Sequence, residues 1–582
     1  MRAADFGTHS SGLVLWPKLL SVLALILCVS LNGAQGRKYG RSVVMSRQGI
    51  AATSQTLASQ AGAQILARGG SAVDAAIAAN AVLSVTEPMM DGIGGDLFVI
   101  YQDAKTGELT GLNASGVAPR GLSPEFLAKS NIKKMPSVGI HSVTVPGAVD
   151  GWAKLHARFG KLPWNELFTA AIAYAEQGFP VAEGIHDAWI KTENIEKLRK
   201  QPEATRVFLP EGNPPETGDV FTNPDMAKAF RILAEKGPDA FYKGEIASGI
   251  LNTSRKLGGT MTAEDLASFS SEWVKPISTE YRGWKISELP PNGQGMAALI
   301  MLNIMEALPA APGGPWSAAE VHKRIEAMKL AYADLHRYNA DPRFAKVPLN
   351  GLLSKEYARS RANLIDAEKA NCEAEPGVPS GSDTTYFSVV DHDGNIASWI
   401  QSNSADFGSG VVVEGMGFAL QNRGGGFTLE AGSPNILAPG KRPFHTIIPG
   451  FMEHGDVHIG FGIQSGANQP LAHAQFVSNI VDYGMNVQGA LEAPRFTKNS
   501  PKGCNVSIED RVPKEALQEL SERGHELRIR RDYAMEMGRG NAVLHNSRTG
   551  VNAGASDPRA DGAAIPEPIP GSTLTSSTAV SN

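Results

Sequence analysis

From Gly381 to Phe427 the chain reads GSDTTYFSVVDHDGNIASWIQSNSADFGSGVVVEGMGFALQNRGGGF. Thr384 to Asp391 is rich in β-branched and aromatic residues, which suit a pleated, half-buried surface, so it predicts a strand. His392-Asp393-Gly394-Asn395 follows, and an Asp-Gly pair between two such runs favours a tight hairpin turn. Ile396 to Asn403 is then the returning strand. With Asp393-Gly394 as a two-residue loop, Asp391 faces Ile396, and Thr384 faces Asn403 beside Ser402. A bulged three-residue loop moves that pairing by one residue. In either register the strand begins at a threonine with hydroxyl and amide side chains opposite, as an activated hydroxyl nucleophile requires. Threonine at a strand start is also ordinary β-propensity, so the hairpin by itself does not establish catalysis.

Upstream, Gln55 to Arg68 has helical spacing, with Leu57, Ala61, Ile65 and Leu66 on one side. Gly69-Gly70 stops it. Ser71 and Asp74 make a capping-box pattern for a second helix, Ala72 to Val85, whose alanines predict close packing over a sheet. Glu87-Pro88 ends that helix. Asp91-Gly92-Ile93-Gly94-Gly95-Asp96 then turns into a strand from Leu97 to Gln102. A Gly-rich turn before a strand rather than a helix fits no dinucleotide fingerprint and reads as a tight structural turn. From Trp152 to about Ala370 the chain reads mainly helical, most clearly at Trp164 to Gln177, Met226 to Glu235, Ala263 to Phe269, Met296 to Leu308 and Ser317 to Tyr338. His322 and His336 fall among charged residues there, which predicts a surface or core-rim place. Glu373 to Ser382 then thins into a loose segment.

The bulk composition is that of a soluble globular protein. Of 582 residues, 42% are hydrophobic and 19% charged, enough for a large core, and a net charge of −5 gives no basic excess for nucleic acid. Residues 1–36 look like a secretory signal: Arg2 and Lys18 precede an apolar run from Leu19 to Leu31, with small residues at Gly33, Ala34 and Gly36. An uncleaved signal anchor is the alternative, and no other segment could cross a membrane. Secretion or entry into the secretory pathway is therefore expected, with no membrane partner beyond such an anchor. The tail, 558–582, is Pro-, Gly-, Ser- and Thr-rich and is expected to be disordered. Cysteine is confined to Cys28, Cys372 and Cys504, too few for a disulfide framework or a zinc spacing. Glycosylation sequons stand at Asn113, Asn252 and Asn505, the first discounted because its segment belongs near the site.

The run Asp-Thr-Thr-Tyr to Asp-Gly-Asn, with Phe407-Gly408-Ser409-Gly410 and Gly417 to Asn422 after it, resembles the small-subunit start of the γ-glutamyltransferase (glutathione hydrolase) family. Arg68 to Ala76, Gly92 to Gly95, Val145 to Trp152, Lys441 to Thr446 and Phe461 to Gly466 extend the resemblance over nearly the whole chain. It implies an N-terminal nucleophile hydrolase with an α+β fold, a four-layer αββα sandwich. It further implies a precursor that cuts itself at Asp383–Thr384 into a large subunit, 37–383, and a small one, 384–582. Cys372 and Cys504 would tie these together if paired; two free thiols are equally open.

By the same resemblance, Thr384 is the nucleophile, Ser402 orients it, and the backbone N–H groups of Ser465 and Gly466 hold the oxyanion. Ser404, Arg423, Gly426, His445 and Thr446 fall at substrate-binding positions, and no metal or organic cofactor is implied. The pocket departs from glutathione-cleaving members. Ser115 stands where they carry an Arg for the γ-glutamyl carboxylate, Gly426 where they carry an Asp for the amine, and His445-Thr446 where they carry Ser-Ser. These departures resemble the acylase-like and amidohydrolase-like branch. The expected activity is γ-glutamyltransferase-like amide hydrolysis of a small molecule. The alternatives are an acylase for glutaryl- or oxamate-like monoamides and a secreted non-enzymatic relative.

Overall fold

Asp383–Val390 and Ile396–Ser404 form the predicted hairpin in a computed structural model that describes residues 39–309, 311–373, 383–498 and 500–569. They sit at the centre of a seven-stranded antiparallel sheet. Outward on one side lie Ile50–Thr53 and Ala563–Pro566; on the other lie Asp96–Gln102, Leu109–Ala114 and Glu272–Val274. A second seven-stranded antiparallel sheet packs against it, in the order Val44–Ser46, Val551–Ser556, Arg539–Asn546, Val457–Gln464, Gly450–His454, Trp284–Glu288, Ile277–Tyr281.

Period-two alternation explains why the hairpin is buried on both faces. Phe387, Val389, Ala397 and Trp399 point toward the helices Thr56–Ala67 and Ala72–Thr86, in the same core as their alanines. Tyr386, Ile396 and Ile400 point the other way, and meet Phe451 and Val543 of the second sheet. The Ala72–Thr86 helix is buried along its whole length and carries the predicted capping box, which contributes about 1 kcal/mol. Trp399 is fully buried and donates to Asn80 Oδ1 at 2.6 Å; its truncation to Ala would cost about 3–5 kcal/mol. The outer face of the second sheet carries the helices Gly295–Ala307, Ala318–Tyr338 and Gln469–Val481.

The hairpin register is shifted by one residue from the two-residue-loop count, as the bulged three-residue loop predicts: Val390 faces Ile396 and Thr385 faces Gln401. Asp391 holds the turn. Its N–H donates to the Asn395 carbonyl at 3.0 Å, and its carboxylate accepts from Asn395 N–H and from Ala72 N–H at the start of the alanine-rich helix, with Gly394 in the left-handed region at φ +85°. At the other end Asp383 faces Ser404, so Ser402 and Asn403 together oppose Thr384, a β-bulge on the return strand.

The stretch read as mainly helical is so, and it also contains the strands Glu272–Val274, Ile277–Tyr281 and Trp284–Glu288, which edge the two sheets. Two further expectations are corrected. Residues 558–569 are not a disordered tail: Arg559 is buried between Glu509 and Asp557, and Ala563–Pro566 pairs with Ile50–Thr53. His322 is buried and bonds His525 at 2.8 Å, whereas His336 is half-buried beside Tyr332 and Phe444, with burial pushing its pKa down to about 4.

Cys372 and Cys504 are joined in a disulfide. Asn113 is buried, consistent with discounting its sequon, while Asn252 and Asn505 are exposed. No helix among the described residues is long and apolar enough to cross a membrane. The expected signal at 1–36 and most of the loose segment, 374–382, lie outside the described residues, as does the remainder of the tail, 570–582.

Candidate active site

Thr384 shares the face of Tyr386, so its side chain enters the space between the two sheets, where Ser402 on the neighbouring strand also points. Thr384 Oγ1 lies 3.2 Å from Ser402 Oγ, and both residues are buried. Ser402 Oγ also accepts from Ser404 N–H at 2.8 Å and from Arg423 Nη2 at 3.1 Å. Ser404 has φ of +81°, a left-handed backbone that a non-glycine residue holds at a cost of about 1–3 kcal/mol. That conformation turns its N–H back onto Ser402 directly after the bulge.

Arg423 begins a short 3₁₀ turn, Arg423–Gly426, and is almost wholly buried. Its Nη1 donates to Thr446 Oγ1 at 2.8 Å, and its Nε stands 4.0 Å from Asp96 Oδ2 with no hydrogen-bond partner. Asp96 Oδ1 accepts from Gly116 N–H at 2.8 Å, and Asp96 Oδ2 from His445 Nε2 at 3.0 Å. Burial pushes the Asp96 carboxyl up to about 7 against the pull of Arg423, and brings Arg423 down to about 10. Burial, with Arg423 and Arg442 nearby, drives His445 well below the usual imidazole range. His445 is thus neutral. Its contact with Asp96 is a hydrogen bond rather than an ion pair, leaving Nδ1 to accept from Ile447 N–H.

Ser465 and Gly466 end the strand Val457–Gln464, with Gly466 in the left-handed region at φ +50°. Gln294 Nε2 donates to the carbonyls of both Gly466 and Thr446, at 2.8 and 2.5 Å, and so fixes the turn relative to the Arg423 pocket. Gln464 Oε1 accepts from Tyr386 N–H at 2.8 Å, tying the turn to the Thr384 strand as well.

The structure therefore brings Thr384, Ser402, Ser404, Arg423 and Thr446 into one bonded cluster, with His445 joined through Asp96. Gly426 contributes only backbone, its carbonyl accepting from Asn435, and a Cβ there would lie 2.8 Å from the Phe444 carbonyl oxygen. Ser115 bonds Asn113 and Asn292 rather than reaching the cluster. Asp96 is the residue that reading the sequence missed. Its signal was a lone carboxylate heading an otherwise apolar buried strand. Glu87 was missed too; it accepts from Ser54 and from Thr385, next to Thr384, at 2.9 and 2.7 Å.

Among the described residues one group could hold a metal, His322, Glu326 and His525. Lys329 and Asn371 N–H already occupy that carboxylate and the imidazoles bond each other, so it reads as a buried polar cluster.

The γ-glutamyltranspeptidase family profile matches residues 58–567. The chain belongs to the γ-glutamyltranspeptidase family. It is 36% identical over 532 residues to the glutathione hydrolase-like YwrD proenzyme of Bacillus subtilis (strain 168), covering 90% of this chain and 99% of that one. It is 33% identical over 579 residues to the glutathione hydrolase proenzyme of the same organism, covering 94% and 97%. Among solved structures, the cephalosporin acylase from Bacillus halodurans superposes with a TM-score of 0.85 at 41% identity, covering 92% of this chain and 98% of that one. The protein is accordingly an enzyme, a γ-glutamyltransferase-like amidohydrolase with a mixed α/β fold.

Proposed function

We propose that the chain is a proenzyme of the N-terminal nucleophile type, with the four-layer αββα order of that class. Thr384 Oγ attacks the carbonyl carbon of Asp383; the peptide C–N bond gives way to an ester, which water opens. This frees the α-amino group of Thr384 and leaves subunits 37–383 and 384–582, joined by Cys372–Cys504. The amine, with an ordinary pKa near about 8, then takes the proton of its own hydroxyl as Thr384 attacks a substrate amide. Ser402 orients the nucleophile, and the N–H groups of Ser465 and Gly466 hold the negative oxygen of the tetrahedral intermediate. The C–N bond breaks, the amine departs with the proton, and water hydrolyses the ester. The leader at 1–36 directs the enzyme into the secretory pathway.

The substrate reading rests on one observation: Arg423, whose Nη groups are held by Ser402 and Thr446, keeps an Nε–H with no hydrogen-bond partner, 4.0 Å from Asp96. A guanidinium in that state suits a terminal carboxylate on the acyl side. The α-ammonium of a γ-glutamyl group would meet it with like charge, and Asp96, the nearby acid, already serves His445 and Gly116. The enzyme is therefore an acylase for amides of dicarboxylic acids, glutaryl-like, with little activity on glutathione. Likeness to a cephalosporin acylase supports this. Hydrolysis of a glutaryl anilide should exceed that of the γ-glutamyl anilide, and Arg423→Ala should reduce that selectivity by about 10²-fold, the effect of removing one partner of a buried charge pair. A preference for the γ-glutamyl anilide, or unchanged selectivity in the variant, would restore a glutathione hydrolase.

A further inference from the structure

The Ser465–Gly466 turn and the Arg423 cluster are both bonded to one side chain, that of Gln294. The residue is fully buried and stands directly before the helix Gly295–Ala307, where its carbonyl accepts from Ala297 N–H at 3.0 Å. The residues before it run beside the segment that carries Thr446. His445 N–H donates to the Asn292 carbonyl at 3.0 Å, Asn292 Nδ2 donates to the Pro443 carbonyl at 2.8 Å, and Gly293 pairs with His445 in a parallel bridge. That backbone places the Gln294 amide between two carbonyls. Its nitrogen has two protons to give, and donates to Gly466 at 2.8 Å and to Thr446 at 2.5 Å.

From Thr446 the bonded path continues. Thr446 Oγ1 accepts from Arg423 Nη1, Arg423 Nη2 donates to Ser402 Oγ, and Ser402 Oγ meets Thr384 Oγ1. Every member of this path except Gln294 falls within 384–582, so a residue of the other proposed subunit closes it. The turn has further supports: the Tyr332 hydroxyl donates to the Ala467 carbonyl, and Ser465 Oγ to the Glu536 carbonyl at 3.2 Å. Loss of the Gln294 amide should therefore leave the turn formed but change its distance from Arg423. A substrate carboxylate at Arg423 and a reacting carbonyl at the turn are two fixed points, and the acyl chain must fit the span between them. Misplacing a reacting atom by about 1 Å, roughly what one methylene adds, costs on the order of 10²-fold in rate.

We propose that Gln294 is a positioning residue that sets this span, and with it the length of acyl chain the enzyme accepts. The inference rests on the readings of Arg423 as the carboxylate partner and of Ser465 and Gly466 as the oxyanion site. The mature, full-length enzyme should be given the monoanilides of succinic, glutaric and adipic acid, which differ by one methylene each and all carry the carboxylate. Pentanoyl anilide, the glutaryl chain without its carboxylate, reports separately on Arg423. In the wild type kcat/KM should peak at glutaryl, by about tenfold or more over either neighbour. Gln294→Met, of similar volume but without the amide, should level the three. A role in stability alone would lower all three by one factor and keep the peak. Gln294→Asn, whose amide sits on a shorter stem, should keep part of the peak. An undiminished peak in Gln294→Met, or a wild type level across the three acids yet slow with pentanoyl anilide, overturns the proposal and leaves the Arg423 reading standing. A wild type that hydrolyses pentanoyl anilide as fast as glutaryl anilide overturns the Arg423 reading and this proposal with it. If Gln294→Met does not fold, the wild-type series and Gln294→Asn decide the question, and a full wild-type peak in the Asn variant overturns the proposal.

Discussion

The proposed reaction centre and the proposed acyl pocket meet at Ser402 yet are built from different materials. Thr384, Ser402, Ser465 and Gly466 lie at strand ends, and a bulge, a left-handed Ser404 and the Gly466 turn aim their groups. The proposed pocket is made of buried polar side chains, Arg423, His445 and Asp96, the last brought from a distant segment. On this proposal, backbone placement leaves the centre indifferent to what the acyl group carries, and side-chain placement lets a few substitutions change the pocket without disturbing the sheets.

The largest expected effect breaks the first region alone. Thr384→Ala removes the attacking oxygen and should abolish both self-cleavage and hydrolysis, a loss of at least about 10⁴-fold. Thr384→Ser should keep both at a lower rate, since it retains the hydroxyl but lacks the methyl that restricts the rotamer. A gel of the Ala variant still showing two fragments would assign the cut to another protease.

A smaller effect separates the regions by pH. Asp96 has its carboxyl raised to about 7 by burial, so it is protonated below that pH and ionised above it. Its folded-state pKa exceeds the unfolded one, so its contribution to stability is complete below about pH 4 and is lost as pH rises through about 7. Ionised Asp96 also competes with a substrate carboxylate for Arg423. The kcat/KM of a glutaryl anilide relative to that of an anilide whose acyl group lacks the carboxylate should therefore fall several-fold as pH rises through about 7, a fall that Asp96→Asn should remove. An identical fall in the Asn variant, or a ratio that does not change with pH in the wild type, would detach Asp96 from the pocket.

The smallest effect concerns whether the pocket can be turned back. Gly426→Asp would place a Cβ 2.8 Å from the Phe444 carbonyl oxygen, a backbone atom that cannot swing aside. The variant should lose about 1–3 kcal/mol of stability in a denaturant titration without gaining γ-glutamyl hydrolysis. A gain of that activity would mean that this turn moves more freely than its packing implies.

The contact between Thr384 and Ser402 was legible in the sequence because it is local. The strand, the turn and the threonine lie within one short stretch, and Thr384 and Ser402 are one hairpin apart. The sequence left two registers open, and the one adopted is braced by a contact no local pattern announces: the Asp391 carboxylate holds a helix N-terminus 319 residues away in the chain. Asp96 hid for the same reason, since its partner His445 lies 349 residues further on and the glycines before it advertise only a turn. The strands Ile277–Tyr281 and Trp284–Glu288 were lost among helices because each is five residues long. His322 looked superficial among charged neighbours because His525, which helps bury it, comes 203 residues later. Arg423 was visible as a cation in the right segment, but its two hydroxyl partners were not.

The central claim is that Thr384 is the residue that cleavage exposes and catalysis uses. Amino-terminal sequencing of the smaller fragment of the mature protein tests it most directly. The account predicts a sequence beginning Thr-Thr-Tyr-Phe-Ser, from Thr384. A fragment beginning at any other residue, or a mature protein that remains one uncut chain, would contradict it.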